Sequence, residues 1–161
     1  GILKHTDTGW VVVHAADVVR ETPLHDWIEG GVLTRFAVYR DRDLSPQQAA
    51  EVLAAAKAYY GRSYDHYFSF DNNEIYCSEL EYLAFRDAGA AIGRTERIGS
   101  LSVNNRFARK LIEQRWQAYP ACKGKDMTFD QCYEVIMAQE LITPASIAAD
   151  PHMTRVFSNY P

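Results

Sequence analysis

The run GWVVVHAA, from Gly9 to Ala16, constrains the fold more than any other stretch. Three consecutive valines beside a tryptophan favour an extended backbone, and the turn-rich HTDTG before them supplies a reversal. The pattern predicts a hairpin in which Gly1 to Leu3 pairs with Trp10 to Ala15. Helical signals follow. Ser45-Pro46-Gln47-Gln48 is a capping box with proline in the first turn, and it opens an alanine-rich helix that Gly61 stops. A further helix is predicted after Tyr76, with Leu80, Leu83 and Ala84 on one face and Gly89 at its end. The balance is α+β: a small, mainly antiparallel sheet with helices segregated to one side.

Between these anchors the signals are shorter. Thr22 is predicted to cap a short helix in TPLHDWIEGG with Pro23 at its first position, and VLTRFAVYR (Val32 to Arg40) reads as a strand. RSYDHYFSFDNNEIY (Arg62 to Tyr76) is too aromatic for a solvent loop and should lie against the core. Val103 to Tyr119 reads as a helix with Phe107, Leu111, Ile112 and Trp116 at core spacing. Thr128 and Gln131 cap another helix, and QELITPASIAADP reads as an extended piece, a cap at Thr143 and a Pro144-led helical turn. No repeat or low-complexity linker interrupts the chain, and 161 residues fit one domain, 1–161.

Composition removes several function classes. The net charge is −4 and the basic residues are scattered among acids, so no nucleic-acid partner is expected. No apolar run reaches the roughly 18 residues of a membrane span. No C-x-x-C or H-x-x-x-H word accompanies the three cysteines and five histidines, so no metal is expected, and no glycine-rich phosphate cradle or other cofactor motif is present. Asp126, Asp130 and Glu134 read as a solvated helix stripe. Cys122 and Cys132 are positioned to pair if the protein is exported, and a cell-envelope location is favoured over a cytoplasmic one.

Cys77 stands apart. In NEIYCSELEYLAF it falls where a polar loop meets an apolar helix, and the first turn of a helix offers unpaired N–H groups and a dipole that favour a thiolate. A small hydrophobe at a buried helix start would look the same, so position alone does not assign chemistry.

Four words in order, TPLHDWIEGG, YYGRSYDHYF, IYCSELEYLAFRDAG and ELITPASIAADP, resemble the YaeF/YiiX-like family of permuted papain-like amidases, a branch of the NlpC-type cysteine hydrolases. The resemblance implies a circularly permuted papain-like fold and a cysteine hydrolase that forms a thioester acyl-enzyme on Cys77. The substrate would be an amide or ester, either a cell-envelope peptide or a lipid-linked acyl group. A catalytically dead binding module and a lipid acyltransferase are the alternatives of the same fold.

The same resemblance places Tyr64 and Asp65 beside the active site as substrate-binding residues. It puts the catalytic histidine two residues before Gly1, so the chain is expected to lack its first segment and, as given, to be weak or inactive. Where the family carries an orienting glutamate this chain has His14, which can position another imidazole or itself act as base. His5 should pair near Trp10, about 13 Å along the strand from His14, and cannot replace the base. Glu79 is read as a structural residue of the helix start, and Phe107, Trp116, Tyr119 and Phe129 as one wall of the cleft.

Overall fold

A computed structural model describes residues 1–101 and 106–161, with side chains described for all of these except 106–108. The hairpin forms as the valine run predicts. β1 (Ile2–Thr6) and β2 (Gly9–Ala15) pair antiparallel with Ile2 opposite Val13 and His5 opposite Trp10, and β3 (Val19–Pro23) adds a third strand with His14 opposite Arg20. Strand alternation sends Val13 and Ala15 into the main core and His14 to the other face. There His14 meets the edge of Trp27, on α1 (Leu24–Glu29), at a ring separation of 6.5 Å.

Thr22 does not cap α1. It is a strand residue opposite Val12, and its hydroxyl is engaged by His14, so the N-cap is Pro23, without a side-chain cap bond. The strand foreseen over Val32 to Arg40 is also shorter. Leu33 and Thr34 take positive φ, which no strand tolerates, and β4 (Ala37–Asp41) begins only after this turn. Its partner is β7 (Met153–Ser158), to which the sequence reading assigned no strand. The antiparallel pairing is therefore divided among three small sheets, the third joining β5 (Glu96–Arg97) to β6 (Glu140–Leu141). With α1 on the outer face of β2, the helices are not confined to one side.

The long helices follow their caps. α2 (Pro46–Lys57) starts on the reciprocal Ser45–Gln48 box, and α3 (Cys77–Asp87) packs on it, burying Leu80, Leu83, Ala84 and Phe85 against Val52, Ala56 and the sheet. At about 1.5–3 kcal/mol for each large apolar side chain, this burial is what fixes α3 in place. Gly89 ends α3 at φ +73°, where a residue with a Cβ would be strained.

The aromatic segment 62–76 lies against this core, as expected. Ile75 and Tyr76 are each 1% exposed, and the chain is stitched in by Val19 N–H to the Arg62 carbonyl, Tyr64 N–H to Asp17 and Ile75 N–H to Ser63. The helix expected over Val103 to Tyr119 is observed as α4 (Arg106–Glu113) followed by a separate 3-10 turn, Trp116–Ala118. Its predicted start falls outside the described residues, as does the side chain of Phe107. α5 (Phe129–Ala138) carries the Thr128–Gln131 box, and Asp126 precedes it, so the acidic stripe is not a single helical face. α6 (Pro144–Ala148) is capped by Thr143. Among the described residues no helix is long and apolar enough to cross a membrane.

Candidate active site

The first turn of α3 is held from three directions. Tyr76 is extended, and its N–H donates to Glu79 Oε2 at 3.1 Å. Ser78 Oγ donates to the Ile142 carbonyl at 2.9 Å, while the Ile142 N–H donates to the Tyr76 phenol at 2.9 Å. These bonds are buried, so each is strong and costly to leave unmade. They fix Cys77 at the helix start, half-buried and without a disulfide partner.

Cys77 opens onto a cleft of about 720 Å³, within the roughly 300–1,000 Å³ typical of small-molecule sites. Its walls are largely apolar, with Phe68, Ile98, Leu101, Trp116, Ile136 and Ile142 prominent, and polar groups enter through His66, Arg115 and Thr143. Trp116 and Tyr119 both line it, as anticipated. Phe129 instead supports Trp116 from behind at a ring separation of 6.3 Å. The wall containing Trp116 and Tyr119 is a separate small core, fastened by a Cys122–Cys132 disulfide with Cα atoms 5.8 Å apart.

Tyr64 reaches the thiol. Burial pushes its phenol up to about 12, reinforced by the adjacent Cys77 thiol, while the Cys77 backbone N–H, which favours phenolate, acts in the opposite direction. The hydroxyl therefore stays protonated at neutral pH. The hydroxyl lies against the Cys77 side chain, and the Cys77 N–H is directed at the Tyr64 oxygen.

Asp65, the other substrate-binding expectation, is fully buried, and its carboxylate accepts from Tyr67 N–H at 2.7 Å, Ser69 N–H at 2.6 Å and Asn72 Nδ2 at 3.1 Å. These bonds fold the loop that carries Tyr64. The same loop presents His66, an imidazole in the cleft with its ring 5.2 Å from that of Tyr64. Sequence reasoning passed over His66, although it lies in the same YDHYF word.

His14 does not line the cleft. Its Nε2 is 2.8 Å from Thr22 Oγ1, and burial lowers its pKa, with Arg20 adding to that and Glu81 and Asp17 opposing it. It shares no hydrogen bond with Cys77. Gly1 crosses β2 so closely that a Cβ there would sit 3.1 Å from the Val13 carbonyl and 3.2 Å from His14 Cβ. The Gly1 nitrogen pairs with Glu81 Oε1 on α3, one helical turn beyond Cys77. His5 stacks on Trp10 at 4.8 Å, in the turn where the strand spacing put it.

A family model described as "Permuted papain-like amidase enzyme, YaeF/YiiX, C92 family" matches residues 1–157. The chain belongs to this family. Its permuted papain-like fold is thereby shown, and the family is one of cysteine amidase or peptidase-like hydrolases. A relative, "Uncharacterized protein YiiX" of Escherichia coli strain K12, is 25% identical over 173 residues, covering 99% of this chain and 78% of that protein. A solved structure titled "Crystal structure of metalloprotein yiiX from Escherichia coli O157:H7, DUF1105" superposes with a TM-score of 0.83 at 24% identity, covering 100% of this chain and 82% of that one.

Among the described residues, the ligand-type side chains that converge are His25, Asp26 and Glu29 on the surface of α1, and none of them lines the cleft.

Proposed function

We propose that the protein is a thiol hydrolase that takes an acyl group with a long apolar portion, as in a lipid-linked amide or ester, onto Cys77. The observation that carries this reading is that Cys77, with the Tyr64 hydroxyl against its side chain, lines a largely apolar cleft. The sulfur attacks the carbonyl carbon, the carbonyl oxygen becomes an oxyanion facing the Tyr64 hydroxyl and the Cys77 N–H, and the leaving amine or alcohol departs with a proton. Water then cleaves the thioester and restores the thiol.

By family resemblance the base is a histidine of the strand pair that carries His14, with His14 as the residue that orients it. Asp65 contributes by shaping the loop that aims Tyr64. The disulfide supports residence in an oxidising compartment, the cell envelope.

The test uses p-nitrophenyl octanoate and p-nitrophenyl acetate with the full-length chain. An octanoyl adduct on the Cys77 peptide, absent from Cys77→Ala, is expected. Each buried methylene contributes about 0.8 kcal/mol, close to fourfold in kcat/KM, so octanoate should exceed acetate by two orders of magnitude or more. Acylation elsewhere, or equal rates for the two esters, overturns the reading.

A further inference from the structure

Arg115 brings a charge to a cleft that is otherwise without one. Among the described residues that line the cleft its guanidinium is the one permanent charge, and no Asp or Glu stands with it. The polar groups around it are already engaged. Ser78 Oγ donates to the Ile142 carbonyl, the Tyr76 phenol accepts from the Ile142 N–H, and the Tyr119 hydroxyl donates to the Tyr67 carbonyl at 3.0 Å. Thr143 Oγ1 accepts from Ser146 N–H at 2.9 Å as the cap of α6. The guanidinium is not engaged in this way. Arg20, Arg86 and Arg109 each pair with a carboxylate, whereas among the described residues no carboxylate, Glu113 included, pairs with Arg115.

The root of this side chain is held while its head is exposed. Arg115 follows α4, its N–H donating to the Ile112 carbonyl at 2.9 Å and its carbonyl accepting from Ala118 N–H at 3.0 Å, so that it forms the N-cap of the 3-10 turn Trp116–Ala118. Trp116 lines the cleft next to it, with Phe129 behind, and the disulfide closes the same small core. An arginine rooted in such a wall lays its methylenes along apolar surface and keeps its charge in water.

A purely apolar ligand filling the cleft would strip water from this cation and return nothing, which is unfavourable. An anionic group on the ligand reverses that balance, because the guanidinium presents a planar fork of donors that matches the paired oxygens of a carboxylate or phosphate. The protein as a whole carries a net charge of −4, so attraction for an anion here is local to the cleft and owes nothing to the overall field.

We propose that Arg115 determines substrate specificity by pairing with an anionic group, carboxylate or phosphate, of an amphiphile whose apolar portion occupies the cleft. This deepens the hydrolase reading above, from which it takes the cleft as the place of the substrate, and it narrows the acyl compounds accepted to anionic ones.

Calorimetric titration of the full-length chain with octyl phosphate, octanoate and 1-octanol, each below its micelle threshold, keeps one tail and varies the head. One or both anions should bind about tenfold or more tightly than the alcohol, and NaCl at about 1 M should shrink that ratio. Arg115→Gln should bring the ratio to about one, and Arg115→Lys should retain part of it, since an ammonium keeps the charge without the fork. Thermal melts are taken alongside, and should Arg115→Gln not fold, a lowered ratio in Arg115→Lys is the expected result. A preference for octyl phosphate alone supports the assignment and names phosphate as the anion; one for octanoate alone supports it and names carboxylate. Equal affinity for all three ligands in the wild type, or a preference that is undiminished in the variants, overturns it. If the preference and its dependence on Arg115 hold in a chain that forms no octanoyl adduct on Cys77, the hydrolase reading falls and the anion site stands.

Discussion

Glu79 is 2% exposed and two residues from Cys77, and burial raises its carboxyl pKa to about 7, with Asp65 adding to the rise and the Tyr76 N–H, Arg62 and Arg86 opposing it. The folded state therefore holds a proton that the unfolded chain releases near pH 4.5. For a carboxyl whose pKa is raised on folding, stability is highest below the unfolded value and falls as pH climbs through the interval, levelling above about 7. Each tenfold in an ionisation equilibrium is 1.36 kcal/mol, so carrying this group from 4.5 to about 7 costs the folded protein about 3 kcal/mol at pH 8.

Glu79→Gln keeps an oxygen for the Tyr76 N–H and removes the charge. Urea unfolding of both proteins, with the disulfide intact, should give a stability difference that favours the variant increasingly from pH 4.5 and reaches about 3 kcal/mol at pH 8. With a urea slope of about 1–3 kcal/mol per molar, the midpoint moves by about 1–3 M. Taking the difference cancels Glu21 and Asp87, whose lowered pKa values act in the opposite sense. A difference that stays constant within about 0.5 kcal/mol across this range would refute the argument, since a lost contact has no such pH dependence. Below neutrality a protonated Glu79 also spares the neighbouring sulfur a second negative charge.

Two further outcomes follow from the site. Tyr64→Phe removes the hydroxyl that the proposed reading assigns to the oxyanion and should lower kcat for p-nitrophenyl octanoate by about 10²-fold with little change in KM; an unaltered kcat would exclude Tyr64 from oxyanion binding. The Cys122→Ala/Cys132→Ala double variant loses a cross-link spanning ten residues and should be destabilised by about 3 kcal/mol. Because that bond fastens the Trp116–Tyr119 wall, the preference for octanoate over acetate should shrink as well, and chemical denaturation with paired rate measurements checks both.

The site is assembled from parts that differ in rigidity. α3 is locked by apolar packing and by the Tyr76, Ser78 and Ile142 bonds, so the sulfur has a fixed origin. Tyr64 is delivered by a loop folded around a buried aspartate, with Phe68 beyond it in a left-handed conformation that a bulky residue adopts only when its surroundings impose it. The cleft's far wall is its own disulfide-closed cluster. On the proposed reading, a fixed sulfur and a separately built wall allow the acyl group accepted to change while the reaction stays the same.

Local chemistry was sufficient to specify the hairpin, the capped helices and the position of Cys77 at a helix start. Their signals, a β-branched run and reciprocal Ser/Thr–Gln boxes, act over a few residues and need no partner elsewhere in the chain. The order of the four words likewise carried the permuted papain-like fold. The tertiary structure decided what depends on residues far apart in sequence. β4 became a strand because β7, more than a hundred residues later, pairs with it, and Thr22 was drawn from capping a helix to engaging His14. Tyr64 met Cys77, Asp65 turned inward to its loop, and Glu81 came under Gly1 only through packing of α3 on the sheet. A side chain's chemistry is set by the donors, charges and water around it, and those are brought together by burial of surfaces distant in the chain.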